Sequence, residues 1–208
     1  MNFADALAEC GLIAILRGIK TSDVVAVGEA LHDAGIRVAE IPLNSPDPFA
    51  SIEKMSAHFH GKLIVGAGTV LSPQDVDMLK THKGQISVSP DCNEVVIKRA
   101  IEVGLVPLPG VFTPTEAFAA IRFGAIHLKL FPAEAASPVT VKAWCAVLPK
   151  HVSIYAVGGI TPNNMQSWID AGAAGFGIAS NIYKPGFTAD EVSKNASEFV
   201  AAWRALKR

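Results

Sequence analysis

Short apolar runs recur along the chain at residues 12–18 (LIAILRG), 38–43 (VAEIPL), 62–70 (KLIVGAGTV), 86–90 (ISVSP), 106–111 (VPLPGV), 127–132 (HLKLFP), 154–160 (IYAVGGI) and 176–180 (FGIAS). Each run is brief and largely unbroken by polar residues, the pattern of a strand covered on both faces. Between the runs lie segments of helical periodicity, several opened by a hydroxyl residue before proline: Ser45-Pro46, Ser72-Pro73, Thr113-Pro114, Ser137-Pro138 and Thr161-Pro162. The hydroxyl can cap a first turn, and proline fits where its missing N–H costs nothing. Thr21-Ser22-Asp23 offers a further start. Helices over 21–34, 114–123 and 162–171 are expected to end near Gly35, Gly124 and Gly172.

Eight strands alternating with helices predict a parallel sheet closed into a compact single-domain (β/α)8 barrel over residues 1–208, with an N-terminal helix. A doubly wound open sheet is the competing architecture. It fits less well, because no G-x-G-x-x-G follows the first strand and no acidic residue stands where a ribose would need one. Composition agrees with a globular chain: half the residues are apolar and 18% are charged. A net charge of -1 without a basic run provides no footprint for nucleic acid or an anionic membrane, so a small molecule is the expected partner. The first residues are acidic ahead of an apolar run that ends at Arg17, so neither a signal peptide nor a membrane span is expected. Three cysteines, Cys10, Cys92 and Cys145, lack C-x-x-C spacing and suggest no disulfide framework, no zinc site and a reducing cytoplasm. No metal or cofactor is expected.

In such a barrel, reactive side chains stand at the C-terminal ends of strands. The polar residues there are Arg17, Glu40, Asn44, Thr69, Ser89, Lys129 and Ser180. Strand alternation puts Lys129 on the face shared by His127 and Phe131, and Glu40 on that of Val38 and Pro42. If both faces point inward, an amine and an acid meet in one cavity. A purely structural ion pair is one reading, but burying such a pair stabilises a core poorly. Desolvation also lowers the pKa of an ammonium group, and a neutral amine is what Schiff-base chemistry requires. Glu40 then becomes the candidate for moving protons between carbinolamine, iminium and enamine. The glycines of VGGI (157–160) and GIAS (177–180), at the ends of the seventh and eighth strands, could hold a phosphate on backbone N–H groups or could merely form tight turns. His58 and His60 read as a surface pair and His127 as a core histidine with an open role.

Taken in order, LIAILRG, AGIRVAEIPLNSP, GAGTVL, HLKLFP with its small-residue loop and Pro138, and AVGGITPNN resemble the bacterial aldolases of 2-keto-3-deoxy-6-phospho sugar acids. The resemblance runs from Leu12 to about Tyr183. It implies a Schiff base between Lys129 and pyruvate, proton transfer by Glu40, and substrate binding by Arg17 and Thr69. It further implies a phosphate held by Gly158, Gly159, Ala179 and Ser180, a phosphorylated sugar acid as substrate, and a homotrimer. Family members acting on the gluconate epimer usually read ETLRT at the second strand and threonine-glycine-glycine at the seventh. Here the chain has EIPLN and Val157-Gly158-Gly159. The missing arginine shifts carboxylate recognition onto Arg17 and Thr69, and Val157 becomes the residue expected to face the C4 region. These departures favour the galactonate epimer. The gluconate epimer, or a sugar-phosphate isomerase or epimerase using the same phosphate site, are the alternatives.

Overall fold

The computed structural model describes residues 1–207. Among them, parallel strand segments β1 (Leu12–Ile15), β2 (Val38–Pro42), β3 (Ile64–Gly68), β4 (Ile86–Val88), β5 (Val106–Leu108), β6 (Gly110–Val111), β7 (His127–Leu130), β8 (Ser153–Val157) and β9 (Gly175–Ile178) form one sheet. Its order is β5-β4-β3-β2-β1-β9-β8-β7-β6. The two outermost segments are consecutive in the chain, divided by Pro109, so the sheet closes into a barrel. The expected fifth strand is thus one stave broken in two. Pro107 and Pro109 have no N–H to donate, and the stave serves its neighbours through carbonyls. Leu108 O accepts from Ser89 N–H at 3.1 Å on one side, and Pro109 O accepts from Lys129 N–H at 2.9 Å on the other.

Alternation along the staves separates two apolar layers. Leu12, Ala14, Ala39, Ile41, Val65, Leu128, Ile154 and Phe176 face outward and pack under the helices. Ile13, Val38, Ile64, Ile86, Val88, Leu108 and Tyr155 face inward and form a second cluster. The N-terminal helix α1 (Phe3–Glu9) closes the lower end of the barrel, adding Phe3, Ala6 and Leu7 to that inner cluster. Phe3 meets the His127 ring edge-on at 5.0 Å between centroids, and Tyr155 Oη lies 3.5 Å from His127 Nδ1. His127 is therefore part of the floor. The carboxyl end of the barrel is left for chemistry, because apolar side chains already fill the interior below it.

The helix signals hold where the loop has no other task. Ser72 and Thr113 cap α4 (Pro73–Thr81) and α6 (Pro114–Arg122) with complete capping boxes. Ser137 occupies the cap position of α7 (Pro138–Cys145) without a side-chain cap bond. The other two hydroxyl-proline pairs do not start helices. Helix α3 (Pro48–His58) follows Asp47, and α8 (Met165–Asp170) follows Asn164. Ser45 Oγ instead accepts from Gly18 N–H at 2.9 Å, tying the loop after β2 to the loop after β1. Helix α2 (Val24–Ala34) is followed by Gly35, whose φ of 111° is the left-handed cap expected there.

The floor contact carries a stability prediction. Phe3→Ala removes a buried ring from the inner cluster and should cost about 3 kcal/mol. Urea denaturation measures that loss, and a change below about 0.5 kcal/mol would show that α1 does not seal the barrel.

Candidate active site

Lys129 on β7 and Glu40 on β2 both point into the upper barrel, where they are 7% and 2% exposed. They line one cavity of about 260 Å³ with Arg17, Phe131, Val157, Gly158, Gly159, Ala179 and Ser180. Burial raises the Glu40 pKa from 4.5 to about 7, against the opposing pull of Lys129 and Arg17. Burial also lowers the Lys129 pKa; Glu40 opposes the shift and Arg17 adds to it. Desolvation is the largest influence on both. It drives acid and base alike toward their neutral forms. No direct ion pair joins them among the described residues, and Glu40 Oε2 is buried without a hydrogen-bond partner. An orphan carboxyl oxygen beside a desolvated amine leaves room for a water or a substrate hydroxyl to bridge them.

Glycines let neighbouring groups close in around this pair. At Gly68, on β3 beside β2, a Cβ would run into the Glu40 carboxylate. Likewise a Cβ at Gly66 would strike Ile86 O. At Gly177 it would come within 2.8 Å of Val157 Cγ2 and 3.3 Å of Ile15 Cδ1. Above the pair, Phe131 presents its ring face to Lys129 Nζ at 4.5 Å from the centroid, a geometry that favours a cation on the nitrogen.

Arg17 reaches the cavity from the loop after β1, and its Nη1 donates to Asn44 Oδ1 at 3.0 Å. The loop after β2 thus steadies Arg17 twice, through Asn44 and through Ser45 on Gly18. At the far end, Gly158 and Gly159 have φ of 113° and 67°, conformations that suit glycine. The amides of Gly159 and Ser180 donate to no acceptor among the described residues. Both residues line the cavity, where unused N–H groups are the chemistry an anion needs.

The structure therefore brings together Lys129, Glu40, Arg17, Val157, Gly158, Gly159, Ala179 and Ser180. Thr69 stands apart from this lining. It follows Gly68 with a φ of 58°, uncommon for a β-branched residue, between segments pinned by Leu43 N–H to Gly68 O and Val70 N–H to Val88 O. His58 pairs with Glu29 at 3.3 Å, a carboxylate partner invisible in local spacing, and no cluster of three metal-binding side chains occurs among the described residues. Gly68, Phe131, Glu134 and Asn181 were not singled out as site residues by the sequence. Only the alternation that places Phe131 beside Lys129 hinted at any of them.

Residues 4–196 match the family model described as aldolase, KDPG and KHG aldolase. The chain belongs to that family. It is 45% identical to the 2-dehydro-3-deoxy-6-phosphogalactonate aldolase of Escherichia coli K12, over 93% of this chain and 94% of the relative. A KHG/KDPG aldolase of the same organism is 32% identical over 72% of this chain and 70% of its own. A solved structure described as native KDPGal superposes with a TM-score of 0.91 at 44% identity, covering 93% of this chain and 94% of that one. The barrel and its carbon-carbon lyase chemistry are thus those of the aldolase family.

The raised Glu40 pKa implies a pH-dependent stability. Between about pH 4.5 and about 7 the folded protein retains a proton that the unfolded chain has released, so stability falls as pH rises through that window. At 1.36 kcal/mol per unit the loss amounts to about 3 kcal/mol. Glu40→Gln, shaped like the protonated acid, should gain on the order of 3 kcal/mol over wild type between about pH 4.5 and about 8. Denaturant titrations at the two pH values measure the gain, and parallel curves would show that Glu40 titrates normally.

Proposed function

We propose that this chain is a class I aldolase that cleaves 2-dehydro-3-deoxy-6-phosphogalactonate reversibly to pyruvate and D-glyceraldehyde 3-phosphate, with Lys129 as the Schiff-base residue. The observation that carries the reading is the desolvated pair: an amine with a lowered pKa sharing a cavity with a carboxyl raised to about 7. Lys129 in its neutral form attacks the C2 ketone, and loss of water gives the iminium. Glu40, acting through water, moves the protons of that step and then, as carboxylate, takes the C4 hydroxyl proton while the C3–C4 bond breaks. The electron pair passes into the iminium and leaves an enamine. Protonation at C3 and hydrolysis release pyruvate and restore the amine. Each step is a proton transfer or covalent catalysis by an amine.

Arg17, held by Asn44, supplies positive charge for the substrate carboxylate, with Thr69 the second residue assigned to it. Gly158, Gly159, Ala179 and Ser180 receive the phosphate and so fix the scissile bond against Lys129. Support for the galactonate substrate comes from the name of the 45% identical relative and from Val157 in place of threonine. The gluconate epimer is the second reading, favoured by the 32% identical KHG/KDPG relative. A homotrimer of cytoplasmic chains completes the proposal. The trimer rests on the family resemblance, and the compartment on three cysteines without disulfide spacing.

Borohydride reduction in the presence of pyruvate tests the chemistry. Mass mapping should place the adduct on Lys129, and Lys129→Ala should remove both adduct and cleavage while the circular dichroism spectrum persists. An isomerase or epimerase would trap no pyruvate, and an adduct on the alanine variant would move the nucleophile elsewhere. The epimer choice is tested at Val157. Threonine there can hydrogen-bond a C4 hydroxyl, a gain of about 1 kcal/mol or several-fold in kcat/KM. Val157→Thr should raise the gluconate-to-galactonate ratio of kcat/KM, and an unchanged ratio would assign the discrimination to the EIPLN segment.

A further inference from the structure

The glycine pair assigned to the phosphate has a competitor in the chain itself. Glu134 sits on the single 3₁₀ turn Ala133–Ala135 that follows β7, and its exposed side chain reaches over β8 into the same cavity. A Cβ built on Gly158 would overlap Glu134 Oε2, and one on Gly159 would lie 3.0 Å from Glu134 Cβ. The carboxylate is thus laid directly on the glycine pair. Among the described residues it makes neither a hydrogen bond nor an ion pair, so no partner holds it there. The cations lining the cavity are Arg17 and Lys129, and the anions are Glu40 and Glu134. The glycine end therefore offers a phosphate only dipoles and one anionic neighbour.

The geometry points to Glu134 as a specificity-determining residue: its carboxylate and the substrate phosphate compete for the Gly158-Gly159 turn. This rests on the reading that the turn receives the phosphate. Two anions cannot share a concavity built from a few backbone N–H groups without mutual repulsion. A phosphate enters when the Glu134 side chain swings toward solvent, which its exposure permits. The base of the turn is held more firmly, since Ala133 is fully buried and its carbonyl accepts from Ala136 N–H at 3.0 Å. The consequence is a graded filter: Glu134 weakens every anion at this end, and substrates with the most N–H contacts overcome it best. The repulsion involves an exposed carboxylate, so added salt screens it.

The test is a comparison of KM values for the phosphorylated sugar acid and its unphosphorylated analogue in wild type, Glu134→Gln and Glu134→Asp. The glutamine variant should lower KM for the phosphorylated substrate about three- to tenfold relative to the analogue, with kcat moving less than KM. Inorganic phosphate should compete correspondingly better, and the difference between variant and wild type should shrink as sodium chloride is raised. Aspartate keeps the charge but shortens the reach, and should fall between the two. Pyruvate trapping reports whether each variant has an intact site, and if glutamine fails it, the aspartate variant carries the comparison. A KM ratio that is unchanged, or that rises in the variants, overturns the competition while leaving the aldolase reading in place. If wild type itself does not distinguish phosphorylated from unphosphorylated substrate, the phosphate does not occupy the turn, and the inference falls with that assignment.

Discussion

Everything at the carboxyl end of the barrel depends on the desolvation of one amine and one carboxyl. In water Lys129 and Glu40 would carry opposite full charges at neutral pH. Inside the barrel, removal of water pushes the amine down and the acid up, and their mutual attraction only partly restores the charges. The pair is thereby poised for proton transfer in place of a fixed salt bridge. A tight buried ion pair would have been inert, with both charges locked and their hydration lost.

Holding two ionisable groups out of water requires the surrounding structure to be closed from below and crowded from the sides. Helix α1 and the inner apolar cluster fill the lower barrel and shield the pair from below. Gly66, Gly68 and Gly177 keep the upper layer from being filled in the same way, since each added Cβ would meet a neighbouring backbone or side chain. Packing thus supplies the low dielectric, and the glycines admit the close approaches it needs. Arg17 tunes the result from the rim, lowering both pKa values, and it is positioned by Asn44 from the adjacent loop.

The cavity has two chemically different ends. Around Lys129 and Glu40 the polar groups are ionisable side chains, suited to bond making and breaking. Around Gly158 and Ser180 they are backbone amides overlaid by the Glu134 carboxylate, and the amides can hold a permanent anion without taking part in proton transfer. A substrate with a ketone at one end and a phosphate at the other matches this division, and Val157 lies at the border between them.

Local pattern alone carried the fold a long way. Apolar runs at near-regular spacing can satisfy their burial only as staves of a parallel sheet wrapped by helices, so the barrel was legible, as was the abnormal lysine in HLKLFP. Strand alternation grouped Lys129 with His127 and Glu40 with Val38, but a period of two does not say which face is the interior, and only the closed barrel brought the two side chains into one cavity. What the sequence could not express was contact between distant loops. Ser45 and Thr161 look like helix caps from their neighbours, yet the Ser45 hydroxyl accepts from Gly18 on another loop, and Thr161 engages through its backbone N–H, which donates to the side chain of Asn164 at the start of α8. Gly68 reads as part of a strand motif until Glu40 is seen against it. Asn44 appears as one more polar residue until Arg17 reaches it, and Glu134 as a surface charge until β7 and β8 bring its turn onto the glycines. Periodicity is a property of a segment and survives in one dimension. Which charge meets which dipole is decided only when segments far apart in the chain share a few ångströms of space.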